Sequence, residues 1–313
     1  MSAAGVEKLG DPSEAQDLLE ARVVRTGKGP QEAGAEDGVR RAVAVEGDFA
    51  KSRAEWVCSD GLGAYASSTI ALMHTKRRHG LLVASHPTLR EPHVFLSHVD
   101  VTLQFGGRSI SLATHQFPGI EPTRGYEYLA LFTQDPLPRW VFHGSGWQFE
   151  RTLGLVRGAN AVVLRHEWRG ARPVIIEMRP LLAMRPATGL TREHGGFVHR
   201  VRLHSNDAVV HPVRALPRVV FRYEGRFVGS PDWWRQFEYL GEHRPGGVRE
   251  DLWTPGVFRV ELQPGDAAYL VCGVDGVPQN SPNELLRDVS EYHTLPRPGR
   301  VSCGSRDCSG SRP

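Results

Sequence analysis

Residues 55–85 read EWVCSDGLGAYASSTIALMHTKRRHGLLVAS, and the fold turns on six of them, Gly61-Leu62-Gly63-Ala64-Tyr65-Ala66. They fit G-x-G-x-x-G/A, the spacing of a dinucleotide-binding turn. Such a turn needs a strand before it, a helix after it and an acidic residue about 20 positions further on. Only the short run Glu55-Trp56-Val57-Cys58 precedes the glycines. Ala66 to Met73 is too short and too rich in Ser, Thr and Ile for the helix, and Leu81-Leu82-Val83-Ala84 stands where the carboxylate belongs. No G-K-[ST] follows, so a phosphate-binding loop is excluded as well. The glycines are expected to supply positive φ in a tight loop ahead of a strand.

Outward from this loop the chain is a succession of short apolar runs separated by turn residues: GLLVAS (80–85), HVFLSHVDVTLQF (93–105), RWVFHG (139–144), WQFERTLGLV (147–156), NAVVLRHEWRG (160–170), RPVIIEMRPLL (172–182), RVVFRYEG (218–225), GVFRVELQPG (256–265) and AAYLVCGVDG (267–276). Several alternate with period two, as in Trp147-Gln148-Phe149-Glu150-Arg151 and Phe258-Arg259-Val260-Glu261-Leu262. A strand sends successive side chains to opposite faces, so this is half-buried sheet. Gly, Pro, Asn and Asp between the runs supply turns. No helical period is evident before Ser281, where SPNELLRDVSEYH offers an N-cap, a proline at the first helical position and Glu284 three residues after the cap. So many strands with so few helices predict an all-β antiparallel sandwich. Residues 1–44 read as a mostly disordered leader, 45–280 as the β-domain, 281–293 as a short helix and 294–313 as a disordered tail.

Bulk properties exclude several function classes. The 313 residues carry 38 basic and 35 acidic side chains, a net charge of +3 with no concentrated basic face, which argues against nucleic acid. No apolar run approaches the ~20 residues a bilayer span requires, and the N-terminus lacks a signal-peptide apolar stretch. Of four cysteines, Cys58 and Cys272 lie in apolar runs, and Cys303 and Cys308 lie in the tail, where they are free to pair or not. This is no disulfide framework, and a cytoplasmic protein is expected. His74 and His79 are five apart with no Cys or acid to complete a ligand set, so neither a metal nor a cofactor is expected.

Three ordered blocks resemble one family. EWVCSDGLGAYASSTIALMHTKRRHGLLVAS resembles the opening block of the N-terminal domain of the bacterial and archaeal type of glycogen debranching enzyme. LALFTQDPLPRWVFHGSGWQFERTLGLVRGANAVVLRHEWRGARPVIIEMRPLLAMR is similar to its central strands, and WWRQFEYLGEHRPGGVREDLWTPGVFRVELQPG to its late block. The resemblance covers about residues 45–280 and implies a β-supersandwich of the glucoamylase N-domain or mutarotase kind. In the family this domain precedes an (α/α)6 barrel that carries the acidic pair for α-1,6 hydrolysis, chemistry that needs two carboxylates flanking the bond. The resemblance therefore implies a chain, truncated or split, with no catalytic residues of its own. Its expected partners are α-glucan, glycogen included, and a catalytic barrel supplied by a separate chain. Departures occur at Asp60, Ala64, Arg78 and Pro186-Ala187.

Candidate contacts to sugar or to a barrel are Arg77, His79, Trp233, Trp234, Asp251 and Trp253. Aromatic faces and planar polar groups are what a sugar ring engages. Adjacent Trp233 and Trp234 on a strand point to opposite faces, and Glu250-Asp251-Leu252-Trp253 ahead of Pro255-Gly256 reads as an exposed loop presenting acid and aromatic together. Lys76-Arg77-Arg78-His79 reads as a charged turn between two strands. A stand-alone carbohydrate-binding or scaffold module, and a mutarotase-like sugar epimerase, remain open as alternatives.

Overall fold

In the computed structural model, which describes residues 42–242 and 247–294, the period-two runs become strands. They are β1 Ala42–Ala44, β2 Glu55–Ser59, β3 Tyr65–Thr69, β4 Gly80–Ala84, β5 His93–Phe105, β6 Arg108–Ser111, β7 Leu129–Thr133, β8 Arg139–Gly144 and β9 Trp147–Val156. They continue as β10 Ala161–Gly170, β11 Val174–Pro186, β12 Val201–His204, β13 Asp207–Val210, β14 Val219–Tyr223, β15 Arg226–Glu238, β16 Arg249–Leu262 and β17 Ala267–Val274. The residues of the leader before β1 and the tail with Cys303 and Cys308 lie outside the described residues. No described helix is long and apolar enough to cross a membrane.

Two antiparallel sheets form the sandwich. One runs β1-β7-β8-β9-β10-β17-β14-β13-β12; the other runs β15-β16-β11-β5-β4-β3-β2, with β6 on β5. The inner faces meet in one apolar core that includes Trp140, Phe149, Trp168, Phe221, Trp253 and Phe258. The outer face of each sheet is also covered. On the nine-stranded sheet the C-terminal helix Pro282–Thr294 lays Leu285, Leu286 and Val289 over Val163 and Val271. On the eight-stranded sheet a second cluster gathers Val83, Val94, Leu181, Ala183, Phe237 and Leu252.

The opening loop directs its amides to side-chain oxygens rather than to a nucleotide phosphate. Asp60–Ala64 closes the β2–β3 hairpin, with Gly61 at φ 75° and Gly63 at φ 116°. The amides of Gly61, Leu62 and Ala64 are already taken. Leu62 and Ala64 donate to Asp60 Oδ1 at 2.8 and 3.0 Å, Gly158 donates to Oδ2 at 3.2 Å, and Gly61 donates to Ser59 Oγ at 3.0 Å. A buried carboxylate occupies the place an anion would need.

The Glu250–Trp253 segment corrects its reading as an exposed loop. It lies inside β16, a strand paired on both sides. Pro255-Gly256 signals a turn in the sequence, yet the ladder with β11 is irregular between Met178 and Leu182, and that with β15 between Gly229 and Asp232. These bulges accommodate a proline that cannot donate to a ladder.

Candidate functional site

The register of the eight-stranded sheet decides what each candidate side chain faces. Trp233 pairs with Trp253 and Trp234 with Leu252. Trp233 and Trp253 therefore point inward. Both are buried in the main core with Phe197, whose ring centroid lies 4.5 Å from Trp233 and 5.9 Å from Trp253. Trp234 points outward, half-buried, with the Arg179 guanidinium 5.5 Å from its ring centroid. Of the three tryptophans proposed for sugar, only Trp234 lies on a face a ligand can reach.

The two adjacent acids also part company. Asp251, 6% exposed, accepts the backbone amides of Gln236 at 2.9 Å and Glu193 at 3.0 Å, which fixes a β15 residue held at φ 67° and the loop before β12. Glu250 faces the opposite side and is fully buried. It accepts from both Nε and Nη2 of Arg185, from the Tyr239 hydroxyl and from the Thr191 amide at 2.8 Å. Burial, and then the neighbouring Glu250 charge, push the Tyr239 phenol well above its ordinary pKa. Two carboxylates on opposite faces of one strand cannot flank a glycosidic bond.

The turn before β4 is only partly solvated, contrary to its reading as a plain charge run. Gly241 donates to Thr75 O at 2.8 Å. Arg77 donates its amide to Glu242 at 2.6 Å, pairs with the same carboxylate through Nη2 at 2.7 Å, and reaches Thr188 O through Nη1 at 2.9 Å. Arg77 thus ties three loops into a rim beside the outer face. His79 is buried, and its Nδ1 accepts from the Thr75 amide at 3.2 Å; burial holds its pKa down at about 4. It is a core histidine of the turn and offers nothing to solvent. Arg77 and Trp234 are therefore the expected site residues that reach the outer surface, whereas His79, Trp233, Asp251 and Trp253 serve the fold.

Sequence reasoning missed a polar layer beneath this face. His74 stacks on His98 at 3.7 Å between ring centroids and His98 meets His115 edge-on at 4.7 Å. His115 Nε2 lies 2.9 and 3.0 Å from the Asp100 carboxylate oxygens. The expectation of no metal set rested on His74 and His79. The acid and the two imidazoles that do cluster, Asp100, His98 and His115, come instead from β5 and from the loop after β6. The one local signal was His98-Val99-Asp100, whose period two puts both polar groups on one face.

Residues 54–269 match the family described as "Glycogen debranching enzyme N terminal". Among solved structures, a bacterial glucoamylase complexed with acarbose is similar at 7% identity and TM-score 0.42, over 87% of this chain and 39% of that one. A putative kojibiose phosphorylase from the human microbiome is similar at 7% identity and TM-score 0.30, over 78% of this chain and 29% of that one. A polysaccharide lyase is similar at 10% identity and TM-score 0.30, over 72% and 32%. The chain thus spans well under half the length of each of these structures. A search of curated proteins finds no match. With the family match covering more than half of the 313 residues, the chain belongs to the glycogen debranching enzyme N-terminal family.

Proposed function

We propose that the outer face of the eight-stranded sheet binds and positions branched α-glucan, and that hydrolysis of the α-1,6 linkage is the work of an (α/α)6 barrel on a separate polypeptide. One observation carries the reading: of the three clustered tryptophans, Trp234 alone is turned to the outer face, with Arg179 over its ring. An aromatic face with a planar donor beside it is suited to stacking a pyranose ring and bonding its hydroxyls. Arg77 at the rim adds a second guanidinium. Glu250 and Asp251 support a non-catalytic role, since each is saturated with donors and they face apart. The free thiols Cys58 and Cys272, whose pKa values burial pushes up, accord with a cytoplasmic setting.

A stand-alone scaffold role predicts no glucan affinity. Epimerase chemistry has less support, because in the His79–Glu55 pair, 3.8 Å apart, the imidazole is 3% exposed and out of reach of a sugar ring.

The test is affinity electrophoresis and calorimetry of the purified chain with branched limit dextrin, alongside an assay for glucose release. Saturable binding without glucose release is expected, with Trp234→Ala weakening affinity at least fivefold while the circular dichroism spectrum is unchanged. Absence of binding would sink the glucan reading, and glucose release by the chain alone would sink the division of labour.

A further inference from the structure

We propose that His98, Asp100 and His115 form a binding site for one divalent transition-metal ion, zinc being the best match to the donor set. This goes beyond the glucan reading and does not depend on it. One ligand atom from each of the three residues lies within 4.8 Å of the others. His98 and Asp100 are two apart on β5, facing Leu181 and Arg179 of β11 across the ladder, so both side chains stand on the outer face. His115 comes from the loop that follows β6 and folds back over that face. Two imidazoles and a carboxylate are a common zinc set, with three protein ligands and an open fourth position.

Two observations mark the cluster as suited to a ligand. First, Nε2 of His98 has no hydrogen-bond partner although the residue is 4% exposed. A buried polar nitrogen left unpaired is costly, and native structures seldom tolerate one. Second, a cavity of about 10 Å³ is lined by His98, Asp100, Thr114 and His115 together with Arg151 and apolar residues that include Leu81, Phe142 and Phe149. That is room for about one water or one small ion. Thr114 Oγ1 in the same lining is also buried without a partner.

The shell is already oriented. His98 is held between the His74 ring and Phe237, whose centroid is 5.9 Å away. His74 is itself fixed by Ser68 Oγ at 2.9 Å and Ser97 O at 3.0 Å. Zinc bonds of about 2.0–2.1 Å place ligand atoms a little over 3 Å apart, so the His115–Asp100 contact at 2.9 Å needs only a small opening. Arg151 lines the same cavity and opposes a cation, but it donates to Val99 O at 2.6 Å and to His166 Nε2 at 3.2 Å, both buried groups.

The bound ion would pin the loop that carries Phe117, which packs on Phe237 at 5.2 Å, and so stiffen the outer face.

The experiment uses the full chain, stripped with chelator and titrated with zinc and, separately, with cobalt. Expected are one metal per chain by elemental analysis, a visible cobalt absorption of tetrahedral intensity, and a Tm rise of about 5 °C or more at 100-fold excess over Kd. His115→Gln and Asp100→Asn should each weaken binding at least tenfold, whereas His204→Gln, on an exposed strand end, should not. If a triad variant fails to fold, the wild-type cobalt spectrum and stoichiometry still decide. No retained metal with an unchanged Tm, equal binding by the triad variants, or a zinc-soaked crystal with only water at His98 Nε2 would each overturn the proposal.

Discussion

Asp60, Glu250 and His79 each hold a polar group inside the fold, and each does so by a different device. Asp60 gathers three amides across two loops. Glu250 is neutralised by Arg185, itself 4% exposed, and saturated by Tyr239 and Thr191. Removing one partner of a buried ion pair strands the other charge, so Glu250→Ala should cost about 3–5 kcal/mol, measured by urea unfolding. A loss under 1 kcal/mol would mean that Arg185 finds water. His79 lowers its cost by staying neutral. Its folded pKa is about 4, set by burial, against about 6.5 in the unfolded chain. Between these values the unfolded state holds more protons, so stability falls as pH drops from 6.5 towards 4 and is undiminished above 7. His166, fully buried and likewise pushed well below its ordinary pKa, acts in the same direction. Unfolding free energy should fall by about 2 kcal/mol between pH 7.5 and 5 on account of His79, with His166 adding in the same direction and His79→Gln flattening part of the slope. A wild-type profile flat over that range would contradict the burial of these rings.

Among the elements, the C-terminal helix shows how a local signal and a packing requirement combine. Ser281 and Glu284 form the reciprocal cap visible in the sequence: Glu284 donates its amide to Ser281 Oγ at 3.3 Å, and Ser281 donates its own amide to Glu284 at 3.0 Å. Where the helix docks was not visible. Leu286 presses on Gly154 of β9, where a Cβ would come within 2.8 Å of its Cδ2, so the glycine opens a seat in an otherwise side-chain-covered strand. Leu286→Ala should therefore cost about 2–4 kcal/mol by chemical denaturation. A negligible effect would show that the helix rests on the sheet without closing it. β16 is the converse case. Its Pro-Gly pair is a turn signal that bulges on both neighbouring strands override.

At the scale of the molecule, both sheets are covered on both faces, and the cover of the eight-stranded sheet is chemically mixed. The imidazole cluster, the Arg185–Glu250 pair and Trp234 with Arg179 all stand on its outer side. That layer separates the residues of the fold from those able to meet a ligand, and it is the surface on which the glucan and metal proposals are tested. The sequence alone determined the antiparallel sandwich, because period-two alternation and turn residues are local. It also excluded the nucleotide turn, since the required helix and acid are absent nearby. It determined as well that Trp233 and Trp234 part to opposite faces. Only the tertiary structure decided which of the two faces outward, that Glu250 and Asp251 are buried on opposite sides of one strand, and that His98, Asp100 and His115 converge. The reason is physical: facing and convergence depend on register, bulges and loop return between segments far apart in the chain, and a one-residue shift in pairing reverses every side chain.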